Sequence, residues 1–344
     1  MGQFEKLRER NALRCQVMYA RRVAQSFLAV FAGSIWLLSA TSLCAHAAEF
    51  ELAGQVSPET FVSVRLHGAT APFTAVTESD LRGRFRFRKL LAGTYTLIAM
   101  EPGHAEVRQT VEVTPSLANS RRQVNVTIDL ERSEVEWRQA LERRTKVSVR
   151  DLSIPNEARR EYEEADRILA RRDVAAAVAH LERAVRIAPN FATAWNHLGT
   201  IAYQTGQYVL AESHFRTALE ADPSAFEPLV NLGGVLINLG KLDEALERNL
   251  DAVHQRPGDA LANAQLGMVY FELGNLELAE KYLTLAKRID PAHFSHPQRL
   301  LAEIHMKRNE RAKAAAELED LLTRHPDLAD AARIRESIAR LRAN

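Results

Sequence analysis

Between Phe50 and Leu130 apolar and polar residues alternate in short runs, "FVSVRL", "GRFRFRKL", "GTYTLIAM", "EVRQTVEV" and "QVNVTIDL", separated by Gly, Pro, Ser and Asn. Alternation with a period of two predicts strands that each bury one face. Roughly seven short strands with turn residues between them predict a small antiparallel β-sandwich over 48–130. Beyond Ala158 the apolar spacing becomes helical, and one phrase recurs. "AWNHLGTIAYQTGQY" begins at Ala194, "PLVNLGGVLINLGKL" at Pro228 and "ANAQLGMVYFELGNL" at Ala262.

Prolines set the interval. Pro189, Pro223, Pro257 and Pro291 stand 34 residues apart and Pro326 follows after 35. Aligned on them, one column reads Ala177, Ala211, Ala245, Ala279, Ala314, and another Leu181, Phe215, Asn249, Leu283, Leu318. A helical period of 34 with small residues in fixed columns resembles the tetratricopeptide family. The resemblance implies five helix-pair repeats over 158–328, with Phe294 inserted before the last, and a superhelix lined by each repeat's first helix. Gly206, Gly240 and Gly274 fall where a left-handed residue ends the first helix. Asn309 tolerates that conformation in the last repeat, whereas Arg172 in the first adopts it less easily. Residues 329–344 predict a final amphipathic capping helix, and 131–157 a helical and extended linker.

The strand region has its own likeness. "LAGQV", "VSVRLHG" and "TESDLRGRFRFRKLLAGTYTLIAMEPGH" resemble the carboxypeptidase regulatory-like family, a prealbumin-like sandwich. Gly83, Phe85, Phe87, Gly93 and Tyr95 sit at the signature places, and Leu91 stands where the family usually has Pro. Arg82, Arg84, Arg86 and Arg88 recur every second residue and share one strand face. They are read first as a solvated, aggregation-resistant outer face and second as a polyanion-binding stripe.

Composition adds a leader. "YARR" precedes a long apolar run, "VAQSFLAVFAGSIWLLSATSLCAHA", that ends in Ala45-His46-Ala47, the layout of a secretory signal cleaved after Ala47. The rival is an uncleaved inner-membrane anchor over Val23–Leu43, since about 20 residues span a bilayer. Either way the basic flank stays inside and the rest is exported, to the periplasm or beyond. Both cysteines, Cys15 and Cys44, lie in this leader, so the mature chain offers no disulfide and no thiolate site. The formal net charge is +1, and without the leader's excess of Arg and Lys the remainder is slightly acidic. That excludes an ordinary nucleic-acid binder.

The tetratricopeptide resemblance implies a protein or peptide partner in the groove. At the family's contact positions stand Tyr162, Asn196, Tyr203 and Gln204, followed by Ile237, Asn238, Met268, Phe271 and Met306. These form an apolar stripe flanked by amides suited to a peptide backbone. The same stripe has a second reading as packing between helices. Position 5 lacks lysine, so the carboxylate clamp for acidic chaperone tails is unmatched. No His-Glu-x-x-His, Gly-x-Ser-x-Gly or phosphate-binding loop occurs. His293-x-x-His296 reads as surface histidines, because a metal site would need further ligands. The expectation is therefore an exported, non-enzymatic scaffold without cofactor or metal. The alternative is a carbohydrate- or envelope-polymer-binding protein acting through the sandwich.

Overall fold

The computed structural model describes residues 48–100, 106–130 and 153–343. The leader over 1–47 and the linker through residue 152 lie outside the described residues. Among the described residues seven strands come first: β1 (Phe50–Ser57), β2 (Ser63–Gly68), β3 (Thr74–Glu78), β4 (Arg84–Leu90), β5 (Gly93–Met100), β6 (Val107–Val113) and β7 (Gln123–Asp129). They form two sheets, ordered β4-β1-β7 and β3-β2-β5-β6. The pairings are antiparallel except one. β7 enters from the opposite sheet rather than through a hairpin, and it runs parallel to β1 from Glu51↔Gln123 to Ser57↔Asp129. The alternation puts Leu52, Val56, Val64, Leu66, Phe85, Phe87, Tyr95, Leu97 and Val113 between the sheets. At the turn into β4, Asp80 accepts the amides of Arg82 and Arg84, and Gly83 takes φ +69° where a Cβ would meet Val56 O at 2.7 Å.

Eleven helices follow among the described residues. They are α1 (Asn156–Leu169), α2 (Val174–Ile187), α3 (Ala192–Gln204), α4 (Tyr208–Ala221), α5 (Phe226–Asn238) and α6 (Leu242–Gln255). Then come α7 (Ala260–Glu272), α8 (Leu276–Ile289), α9 (Pro297–Lys307), α10 (Arg311–Arg324) and α11 (Ala331–Arg342). Each odd–even pair from α1 to α10 is one repeat, and α11 packs on α10. The architecture is thus a small β-sandwich followed by an all-α tetratricopeptide superhelix.

The repeated columns make the close contacts. Ala177, Ala211, Ala245, Ala279 and Ala314 are all fully buried. A Cβ on Gly199 would lie 2.5 Å from the Phe215 ring, on Gly233 2.4 Å from Asn249 Oδ1, and on Gly267 2.7 Å from Leu283. The absent side chain is what lets the two helices of each pair approach. Gly206, Gly240 and Gly274 take φ +78°, +70° and +79°, and Arg172 and Asn309 take φ +65° and +60°. Sandwich and helices belong to one compact unit, 47–344.

Candidate functional site

The sandwich packs against the repeats. β6 is an edge strand, and such an edge exposes unpaired amides unless something covers it. Here the cover is the row of junctions between successive repeats. Arg108 Nη2 lies 2.7 Å from Glu227 Oε1 at the start of α5, and Arg256 after α6 reaches Glu106 and Glu227 at 3.5 and 3.2 Å. The Thr110 amide donates to Asp290 Oδ2 at 2.9 Å, just past α8. Glu112 accepts from His325 Nδ1 after α10, and Ser116 donates to Asp327 through both its amide and its hydroxyl. The strand therefore advances along the array as the repeats do.

The other end of the same sheet meets the first two repeats. β3 packs against α1. Arg172 places its guanidinium 4.6 Å from the Phe73 ring centroid and donates to the Tyr95 hydroxyl at 3.2 Å. Gln204 Nε2 donates to Gly68 O at 2.9 Å. Burial pushes His67 down to about 3, with His197, Arg65 and Arg108 adding to it. Burial likewise lowers His197 to about 4, helped by Arg65. Asp166, 3.5 Å from His197 Nδ1, is raised by burial to about 6 against the pull of Arg65. Burial also works against the charge of Arg108, but Glu106, Glu227 and Asp259 outweigh it and raise its pKa. Here opposite charges hold Arg108, and burial opposes protonation of His67 and His197.

The predicted groove residues divide. Tyr162 stacks obliquely on Phe191 and His197, with centroids 5.3 and 5.7 Å away, and Gln204 serves the sandwich. Asn196 Oδ1 accepts from Asn231 at 3.0 Å. Tyr203 and Asn238 come together, Asn238 Nδ2 donating to the Tyr203 hydroxyl at 3.1 Å and to Gly234 O at 3.0 Å. Tyr203 is 36% exposed and Met306 45%. Ile237 and Met268 are half-buried. Phe271, also half-buried, packs on the cluster of Ala279, Leu283, Leu301 and Ile304, with Lys307 Nζ 5.3 Å above its ring. On the sandwich, Arg84 pairs with Asp80 at 2.7 Å, while Arg86 and Arg88 lie 3.3 and 3.5 Å from Glu51. Arg82 is exposed in the turn before them.

Several residues at the contact carry no sequence signal, among them Arg65, His67, Arg108, Thr110, Glu112 and Asp290. The histidines differ from expectation too. His293 is only 4% exposed and His296 is half-buried beside His325, because the repeat junction is roofed by β6. His180, His197 and His214 turn separately to Glu161, Asp166 and the Trp195 ring.

Comparison with known proteins agrees with the repeat architecture. Residues 159–290, well under half of the chain, match the family described as Cilia and flagella-associated protein 70 middle TPR-like domain. The human Cell division cycle protein 16 homolog is 32% identical over 113 residues, 30% of this chain and 18% of that protein. A TPR repeat-containing protein of Rhizobium etli is 28% identical over 132 residues, 34% of this chain and 63% of its own length. The chain thus spans less than two thirds of each of these relatives. Among solved structures, PilW, a type IV pilus biogenesis factor, superposes with a TM-score of 0.50 at 24% identity, covering 55% of this chain and 88% of that one. The helical part is a tetratricopeptide-type domain.

Proposed function

We propose that this chain is an exported, non-enzymatic scaffold. Its repeats take a protein or peptide partner along the C-terminal ends of the first helices, beside the sandwich that packs against them. Export rests on the leader before Ala48. Among the described residues no helix is long and apolar enough to cross a membrane. In this reading the sandwich, a carboxypeptidase regulatory-like unit by its Gly83–Tyr95 signature, supplies a rigid surface rather than catalytic groups.

One observation carries the proposal. Tyr203 and Met306 remain exposed at equivalent helix ends two and five repeats into the array, with the Asn238 amide bonded to Tyr203 beside them. Aromatic and methionine side chains flanked by amides suit an apolar peptide whose backbone needs partners. The test is a photo-cross-linker placed at position 203 or, as control, at exposed position 220 on the second helix of that repeat. Discrete adducts with one protein from 203, lost on Met306→Ala, support the reading. Equal labelling from both positions sinks it.

A further inference from the structure

His325 is fully buried, and its Nδ1 donates to the carboxylate of Glu112 on β6. Once that Nδ1 proton is given up, the nitrogen presents its lone pair beside the Glu112 carboxylate to whatever takes the proton's place. His325 Nε2 is buried without a hydrogen-bond partner. His296 meets it edge-on, with ring centroids 4.4 Å apart at 77°, and His296 Nε2 is buried and unpartnered in the same way. One donor atom from each of Glu112, His296 and His325 lies within 4.8 Å of the other two. A buried nitrogen with nothing to accept or donate is unfavourable, and a ligand seated among these three side chains relieves that cost at His296.

We propose that Glu112, His296 and His325 form a site for a divalent transition-metal ion, zinc by preference, that pins the sandwich to the far end of the repeats. Two imidazoles and one carboxylate match the nitrogen and oxygen donors zinc accepts, whereas calcium and magnesium ask for oxygen alone. Bonds of about 2.0–2.1 Å in a tetrahedron set donors about 3.4 Å apart, so the ion takes the place of the proton between His325 Nδ1 and Glu112, these two separating to admit it while His296 draws in. The fourth position falls to water. His293 stays aside, its Nδ1 held 2.7 Å from Ser295 Oγ. The ligands come from both parts of the chain, Glu112 from the strand edge and the histidines from either flank of the α9–α10 repeat. The ion therefore cross-links elements that are otherwise joined here by the Thr110–Asp290 and Ser116–Asp327 hydrogen bonds.

The experiment uses the full exported chain without a histidine tag, stripped with chelator and titrated with Co2+ and then Zn2+. One equivalent of Co2+ should bind with visible d–d absorption that Zn2+ displaces. His296→Ala, His325→Ala and Glu112→Ala should each weaken binding more than tenfold. His254→Ala, exposed on α6, should bind like wild type. Zinc should also slow hydrogen exchange of β6. Wild-type protein that takes up no stoichiometric metal overturns the proposal, whatever the variants do. So does affinity that survives in the His296/His325 double variant, and metal binding that leaves β6 exchange unchanged overturns the pinning role.

Discussion

Arg172 stands at the turn position that glycine holds in the three following repeats, with φ +65°, and its guanidinium donates to the Tyr95 hydroxyl of the sandwich at 3.2 Å. A left-handed conformation costs a residue with a Cβ roughly 1–2 kcal/mol. At this turn the long side chain reaches the Phe73 ring and Tyr95, which offsets the strain. Arg172→Gly should therefore leave helix content intact while loosening the sandwich. Hydrogen exchange at Gly68–Phe73 should quicken, with α1 and α2 unchanged. Tyr95→Phe should do less: it removes the hydroxyl's bonds to Arg172 and Leu91 O but keeps the cation–π contact of Arg172 with Phe73, about 0.5–2 kcal/mol. Faster exchange in α1 and α2 would instead mean that Arg172 serves the repeat itself.

Acid should weaken the same end of the contact. His67 near 3 and His197 near 4 lie below the unfolded value of 6.5, so the unfolded chain binds protons first as pH falls. Their contribution is intact above pH 6.5 and declines below it towards 4. Arg65 and Arg108 face His67, and Arg65, Asp166 and Tyr162 surround His197. Asp166, raised to about 6, acts the other way: its contribution is present at low pH and fades as pH climbs through 6. Two histidines against one carboxyl leave a net loss on acidification of at most about 1.4 kcal/mol per pH unit. Urea midpoints from pH 7.5 to 4.5 should fall for wild type, and for the His67→Gln, His197→Gln double variant that fall should disappear or reverse, since Asp166 alone then remains. Superimposable profiles would contradict the assignment.

Packing predicts a sharp contrast between two surfaces. Ala211 and Ala245 are fully buried where helices touch, so Ala211→Leu should cost about 1–3 kcal/mol. Arg84 is exposed and paired with Asp80, and Arg84→Ala should stay within about 0.5 kcal/mol. Thermal melts of the two variants decide the matter, and equal shifts would place the alanine column wrongly.

In the strip proposed for a partner, Tyr203 and Phe271 should behave differently. Tyr203→Ala should leave the melting transition nearly unchanged and abolish cross-linking to the partner from position 306. Phe271→Ala should lower stability by about 1–3 kcal/mol, because its half-buried ring covers Leu283, Leu301 and Ile304. A stable Phe271→Ala protein would show that this ring faces the ligand alone.

What the chain states by itself is local and periodic. Alternation around Phe85 and Phe87 specifies a strand with one buried face, and the prolines from Pro189 to Pro326 with their alanine and glycine columns specify a stack of helix pairs, because each neighbour contact repeats at a fixed interval. Gly199 and Phe215 announce their contact in sequence since every repeat rewrites it. The seating of β6 has no such echo. Arg108 and Glu227 are 119 residues apart, Thr110 and Asp290 180, Glu112 and His325 213, and each pair occurs once. A contact made once between two different architectures leaves no period to read. The sequence presents His293 and His296 as loop histidines; only tertiary packing, by laying a strand edge across that junction, buries His293, half-buries His296 and sets His325 and Glu112 beside them.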